Sequence, residues 1–230
     1  MSLSHSPSIV TNGLVLCLDA GNRKSYPGSG TTWTDLSGRG NNGTLTNGPT
    51  YSTSNGGSIV FDGVDDKGTF TSPINSSSPQ TYEVWTNAIA SATATDNYAY
   101  ILHNNNVANT IGSSYLTIGI KPTQQYFGCF NGALATMDAG TVASTSNIVQ
   151  IVLSWDGSTQ NLYVNGVLKD FEALSVTPQN FSTTTSFGDD KSTTYRMIQG
   201  SIYSIKIYNR ALTASEIQQN FNALRGRFGI

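Results

Sequence analysis

The sequence predicts an all-β sandwich of two antiparallel sheets, closed by one short α-helix near the C-terminus. Three observations point there. Charged residues make up only 11% of the 230-residue chain, against roughly 25% in an average globular protein. Aromatic and β-branched residues recur throughout in short runs separated by Gly, Asn, Ser and Thr, as in many short strands joined by turns. One stretch alone, at the C-terminal end, combines helical periodicity with a helix start signal. The length suffices for a single sizeable core. With no Pro-rich or Gly/Ser linker and no repeat of fixed period, one domain is expected over residues 13–230, preceded by a Ser-rich arm at 1–12.

In chain order, "GLVLCLDAG" (13–21) is a nearly continuous apolar run, the pattern of a strand buried on both faces. A Gly/Ser/Thr/Asn-rich loop follows from Asn22 to about Pro49, with Trp33 and Leu36 as its anchors; a loop this long must be packed down or functional. Next come "SIVFD" (58–62), "GTFT" (68–71), "TYEVWTNAIA" (81–90), "YAYILH" (98–103), "SYLTIGIK" (114–121), "QYFGCF" (125–130) and "IVQIVLSW" (148–155), about a dozen strands in all. "LYV" and "VLK" flank Asn165-Gly166, a pair that supplies the positive φ angles of a two-residue hairpin, and "WDGST" (155–159) is a second tight connection. "GSIYSIKIY" (200–208) is the last strand. In the helix, Thr213 and Glu216 form a capping box, Ile217, Phe221 and Leu224 share an apolar face directed at the sandwich, and Gly226 is the natural stop.

Composition narrows the function classes. Net charge is −2 without a basic stripe, which speaks against nucleic acid as partner. No apolar run reaches about 18 residues, so no membrane span is expected. "MSLSHSPSIV" has neither a basic nor an apolar signal region, so no signal peptide is read. Cys17 and Cys129 sit inside apolar runs and read as buried free thiols ahead of a disulfide.

Three acidic residues crowd the stretch "SIVFDGVDDKGTF" (58–70): Asp62, Asp65 and Asp66. Counting from Asp62, positions 3 and 6 are Val64 and Lys67, which rules out an EF-hand loop. Asp62-Gly63 favours a tight reversal, with Asp65 and Asp66 bonding backbone N–H groups of the turn. The alternative is a calcium site, with Asp65 and Asp66 as candidate ligands and Asp189, in "GDD" (188–190), as a weaker one. "GRGNNG" (38–43) spells a dinucleotide-binding motif but neither follows a clear strand nor opens a helix. The histidines are His5 and His103, without a nucleophile elbow. Trp85 and Trp155 read as core; Trp33, Tyr51, Tyr98, Tyr100 and Tyr126 lie near loops and read as core or rim packing, with sugar stacking as the alternative.

Five stretches occur in one order: "GLVLCLDAGN", "WTDLSGRGNNGTL", "GGSIVFDGVDD", "LSWDGSTQNLYVNGVL" and "GSIYSIKIYNRALTASEIQQNF". As a set they resemble the laminin-G-like branch of the concanavalin A-like lectin/glucanase superfamily, in the version found in structural proteins of tailed marine and cyanobacterial phages. The resemblance covers the chain from about Gly13 to the end. It implies a jelly-roll sandwich, and calcium held at a sheet rim in some relatives. Glucanases of the superfamily carry acids at alternate positions of one strand; the comparable strand here, "YEVWTN", offers Glu83 followed by Trp85 and Asn87, so no enzyme is expected. The resemblance further implies a non-enzymatic virion protein, a capsid decoration or tail appendage assembled in the host cytoplasm. Its partners would be other virion proteins, further copies of itself and surface glycans. The alternative is a carbohydrate-binding receptor or adhesion module, marked by an aromatic-lined sheet face or a rim metal.

Overall fold

The computed structural model describes residues 7–74, 78–91, 98–104, 116–121, 123–130, 137–174, 182–189 and 196–230. The early strands are β1 (Leu14–Asp19), β2 (Thr32–Trp33), β3 (Gly43–Thr46), β4 (Thr50–Ser52), β5 (Ser58–Asp62), β6 (Lys67–Thr71), β7 (Gln80–Thr86) and β8 (Ile89–Ala90). The later ones are β9 (Ala99–Asn104), β10 (Leu116–Ile120), β11 (Gln125–Phe130), β12 (Met137–Val142), β13 (Val149–Trp155), β14 (Thr159–Val164), β15 (Val167–Ala173), β16 (Thr184–Phe187) and β17 (Ile198–Tyr208). A 3-10 turn spans Ser54–Gly56, and α1 spans Ala214–Phe228.

Among the described residues, every strand pairing is antiparallel. Nine strands build one sheet, in the order β15-β14-β13-β7-β17-β5-β4, with β1 and β8 also on β17. Eight build the other, in the order β12-β11-β10-β9-β16-β6-β3-β2. The predicted two-sheet sandwich with one C-terminal helix is therefore the observed architecture. More strands form than the dozen read from the sequence, partly because β2 and β3 lie inside the long loop that follows β1. Trp33 in β2 is fully buried and meets Phe187 edge-on at 5.8 Å between ring centroids.

Alternation along β7 shows how the layers are assigned. Tyr82 and Val84 enter the core between the sheets, alongside Ile151, Leu153, Ile205 and Ile207 from the same sheet and Leu102, Ile118, Phe130 and Phe187 from the other. Glu83 and Trp85 point to the opposite face, which α1 covers. The Asn165-Gly166 hairpin forms as expected, with φ of 52° and 77°. In the "WDGST" connection, Asp156 Oδ1 accepts from the backbone N–H groups of Ser158 and Thr159 at 2.8 Å each. Cys17 and Cys129 are free and buried, and burial pushes their thiols up to about 11 and about 12. Residues 1–6 of the N-terminal arm, with His5, lie outside the described residues. Its remainder packs on the domain: Val10 is buried, and Gln219 Nε2 donates to Ser8 O at 2.8 Å.

The capping box is present: Glu216 N donates to Thr213 Oγ1 at 3.3 Å and Thr213 N to Glu216 Oε2 at 2.9 Å. Gly226 does not end the helix. The chain stays helical to Phe228, and Gly229, at φ 72°, is the left-handed cap. Tertiary contacts override the glycine. Arg227 bonds Asp19 Oδ1 at 2.6 Å and Gly57 O at 2.8 Å, and the Phe228 ring lies 4.7 Å from Trp85. The apolar face is also shared differently from the expectation: Ile217 and Phe228 are buried, whereas Phe221 and Leu224 are only partly covered.

Arg210 clamps the Glu216 carboxylate with two bonds, Nη2 to Oε1 at 2.6 Å and Nη1 to Oε2 at 2.9 Å. The Arg210 hydrogen bonds lower the Glu216 pKa from the usual 4.5 to about 2. The unfolded chain therefore takes up this proton first as pH falls. The stabilisation is complete above pH 4.5 and is lost as pH drops through about 2. Because the pair is partly solvated, its size is on the order of 1 kcal/mol. Urea melts across this range should show a shallower acid-side loss in Glu216→Gln than in the wild type; parallel curves would contradict the assignment.

Candidate functional site

The acidic turn between β5 and β6 brings together the three carboxylates of Asp62, Asp65 and Asp66, each with an oxygen within 4.8 Å of the others. Two of the three also serve the turn. Asp62 Oδ1 accepts from Val64 N at 2.8 Å, and Asp66 Oδ2 accepts from Asp62 N at 2.9 Å. Asn47 Nδ2 holds the loop from outside by donating to Asp65 O at 2.9 Å. Burial, followed by the neighbouring aspartates, raises the Asp66 pKa above the ordinary carboxylate value, opposed by its hydrogen bond to the Asp62 backbone. Asp189 is buried two residues past the β16–β6 pair Phe187–Gly68 and is not in this carboxylate group. Asp190 lies outside the described residues.

A different aspartate, passed over in the sequence, organises the loop "DLSGRGNNG". Asp35 is 7% exposed. Its Oδ1 accepts from Cys17 N and Ser37 N, both at 2.9 Å, and its Oδ2 from Ser37 Oγ at 2.7 Å and Asn41 N at 3.1 Å. Four donors on one carboxylate tie the loop to β1. The glycines at 38 and 40 adopt positive φ within it, and no helix follows them, so the loop is a structural clasp rather than a phosphate cradle. The available signal was an Asp two residues before a Ser and six before an Asn, ahead of a Gly-rich turn.

Aromatic residues do gather on the outward face of the eight-stranded sheet. Tyr100 stacks on His103 at 4.6 Å, Arg196 Nη1 donates to Tyr100 Oη at 3.0 Å, and Phe127 and Tyr98 complete the cluster. Tyr100, His103, Phe127 and Arg196 are all buried, so these rings are packing residues. Trp33, Trp85, Trp155 and Tyr126 are likewise buried, while Tyr51 and Tyr98 are partly covered.

The opposite, helix-covered face holds a buried polar network. Glu83 is fully buried and Lys206 is 2% exposed, and they pair at 2.9 Å. Glu83 Oε1 also accepts from Trp85 Nε1 at 3.1 Å, and Oε2 accepts from Asn220 Nδ2 at 2.8 Å. The one acid on the glucanase-like strand is thus neutralised by a lysine and lies beneath α1.

Beside this face an open cleft of about 410 Å³ lies between the C-terminal end of α1, the start of β13, the Asn165 hairpin and the 3-10 turn. Asn55, Ser146, Asn147 and Asn165 supply polar groups, and Phe228 supplies an aromatic ring backed by Trp85 and Tyr203. Among the described residues, no charged side chain lines it. Gln150, next to Val149 of the lining, is fully buried, and neither atom of its carboxamide has a hydrogen-bond partner among the described residues.

Residues 61–218 match the profile of a laminin-G-type family described as the concanavalin A-like lectin/glucanases superfamily. The chain belongs to this superfamily. The fold recurs in the binding domain of Paraclostridial Mosquitocidal Protein 1, at 16% identity and TM-score 0.71, covering 93% of this chain and 52% of that one. It recurs in the botulinum neurotoxin serotype D binding domain, at 14% identity and TM-score 0.67, covering 92% and 52%. Trypanosoma rangeli sialidase in complex with the inhibitor DANA matches at 16% identity and TM-score 0.65, covering 95% and 35%. The chain therefore spans about half the length of the two toxin domains and about a third of the sialidase. No curated protein sequence matches it. Among the described residues, no helix is long and apolar enough to cross a membrane.

Proposed function

We propose that this chain is a non-hydrolytic glycan-binding module of the receptor-binding or adhesion type. The observation that carries the reading is the cleft at the end of α1. It gathers three carboxamides and a hydroxyl, and among the described residues no charged side chain lines it, the mix that suits neutral sugar hydroxyls. The binding domains with which it shares its fold support the class. The burial and ion pairing of Glu83 support the absence of glycosidase chemistry, which needs two accessible carboxyl groups. A glycan array followed by calorimetry tests the proposal. Asn147→Ala, at an exposed cleft position, should weaken binding several-fold, the equivalent of one hydrogen bond of about 0.5–1.5 kcal/mol. Absence of glycan binding, or binding indifferent to Asn147 and Ser146, would overturn it.

The Asp62, Asp65 and Asp66 group orders the β5–β6 turn, and folding does not depend on calcium. Calcium held only by the native state at a hundredfold excess over Kd would stabilise by about 2.7 kcal/mol. For a domain of this size that raises Tm by roughly 5–10 °C. The expected result is a much smaller difference between calcium and chelator; a full shift that disappears in Asp66→Ala would establish a metal site instead. A phage virion component is the second reading, favoured by the motifs at 33–45 and 207–220. It places the same module on a particle surface, and mass spectrometry of purified particles tests it.

A further inference from the structure

Lys206, Glu83 and Asn220 form a group that the proposed binding cleft does not use. Lys206 on β17 lies directly opposite Glu83 on β7 in the strand register, and α1 sets Asn220 over the pair. One carboxylate touches both nitrogens: Glu83 Oε1 accepts from Lys206 Nζ at 2.9 Å, and Oε2 from Asn220 Nδ2 at 2.8 Å. The orientation of the amide is fixed by its partners. Asn220 Oδ1 faces Val10 N, which can only donate, at 2.8 Å, and Nδ2 faces a carboxylate, which can only accept. Tyr208 Oη takes the second Nδ2 bond at 2.9 Å. Glu83 and Asn220 are fully buried and Lys206 is 2% exposed, with Trp85, Tyr208 and Ile217 close around them. A purely structural polar contact needs neither a lysine nor an acid here, and burying an ion pair rarely stabilises more than a packed apolar pair does.

We propose that Lys206 and Asn220 join spontaneously in an intramolecular isopeptide bond, with Glu83 as the catalytic proton shuttle. Glu83 accepts a proton from the Lys206 ammonium. The neutral amine attacks Asn220 Cγ, and a Cγ–Nζ bond forms. Negative charge collects on Oδ1, where the Val10 N–H already points, as in an oxyanion hole. Glu83 delivers its proton to Nδ2 and takes the second proton from Nζ. The Cγ–Nδ2 bond breaks, and the nitrogen leaves as ammonia, carrying off the excess proton as ammonium. A lysine ammonium and an asparagine amide thus become one secondary amide and ammonium, with nothing oxidised or reduced. Bonding of both nitrogens to one buried carboxylate raises the effective concentration that the uncatalysed reaction lacks, and exclusion of water protects the product from hydrolysis. The bond fastens α1 to the centre of the nine-stranded sheet, where two buried but free cysteines offer no disulfide to do so.

Intact-mass spectrometry of the folded wild-type protein, followed by a tryptic map after denaturation, tests this. The expected mass is that of the chain less one ammonia. The expected map holds a branched peptide in which residues 197–210, uncleaved at Lys206, are joined to residues 211–225. Glu83→Gln and Lys206→Arg should both restore the full mass and the linear peptides. The full chain mass in the wild type would overturn the proposal without recourse to any variant. So would an ammonia loss that maps to a linear peptide, as a succinimide at an Asn-Gly pair such as Asn12-Gly13 would give, or a loss that persists in Lys206→Arg.

Discussion

Trp85→Ala should lower the stability of the domain by about 3–5 kcal/mol, the range for removing a fully enclosed large aromatic. Trp85 has no exposed surface. Its ring lies parallel to Phe221 at 5.8 Å and stacks on Phe228 at 4.7 Å, and its Nε1 donates to Glu83. Truncation therefore removes apolar burial, two ring contacts and one donor to a buried carboxylate at once. Urea melts followed by far-UV circular dichroism measure it, with loosening of α1 as the accompanying signal. Trp85→Phe separates the contributions: it keeps the stack and strands only the hydrogen bond, for about 1–3 kcal/mol. Phe221→Ala, which the sequence alone would rank with a fully enclosed ring, should cost less than Trp85→Ala because Phe221 is only partly covered. Equal losses for Phe221 and Trp85 would mean that the helix face, not the sheet residue, is the anchor.

What could be read from the sequence was set locally. The hairpin at Asn165-Gly166 and the capping box at Thr213–Glu216 each depend on residues within a few positions of one another, and both form as expected. The two-sheet sandwich followed from the short apolar runs and the turn residues between them. The misread features depend on partners far along the chain. Gly226 looked like a helix stop because the contacts of Arg227 and Phe228 with residues 19, 57 and 85 are invisible in a local window. The pairing of Lys206 in "SIKIY" went unread because it exists only once β7 places Glu83 opposite it and α1 covers both. The cleft was beyond reach for the same reason, since its lining comes from four separate segments around residues 55, 147, 165 and 229. The acidic turn was legible as a turn, but Asp62, not the expected Asp65, joins Asp66 in bonding its backbone N–H groups. The Asp35 clasp went unread: its turn chemistry is local, but its bond to Cys17 N crosses from loop to strand.

Phe187→Ala is the other large loss expected, again about 3–5 kcal/mol. Phe187 has no exposed surface and sits among three rings, at 5.8 Å from Trp33, 6.2 Å from Phe61 and 6.0 Å from Phe70. Its register partner across β16 and β6 is Gly68. A Cβ on Gly68 would lie 2.1 Å from the Phe187 ring, so this glycine serves space rather than backbone freedom: the ring lies flat over a position without a side chain. Gly68→Ala alone should therefore cost about 1–3 kcal/mol by displacing the ring from its three neighbours. In the Phe187→Ala background the same methyl group enters the space left by the ring, and its cost should vanish or turn slightly favourable. A double-mutant cycle on denaturant melts reads this as a coupling of about 1–3 kcal/mol between the two positions. Additive losses would show that Gly68 is required by its backbone and not by the ring above it, and the core would then be ordered by something other than the Phe187 cluster.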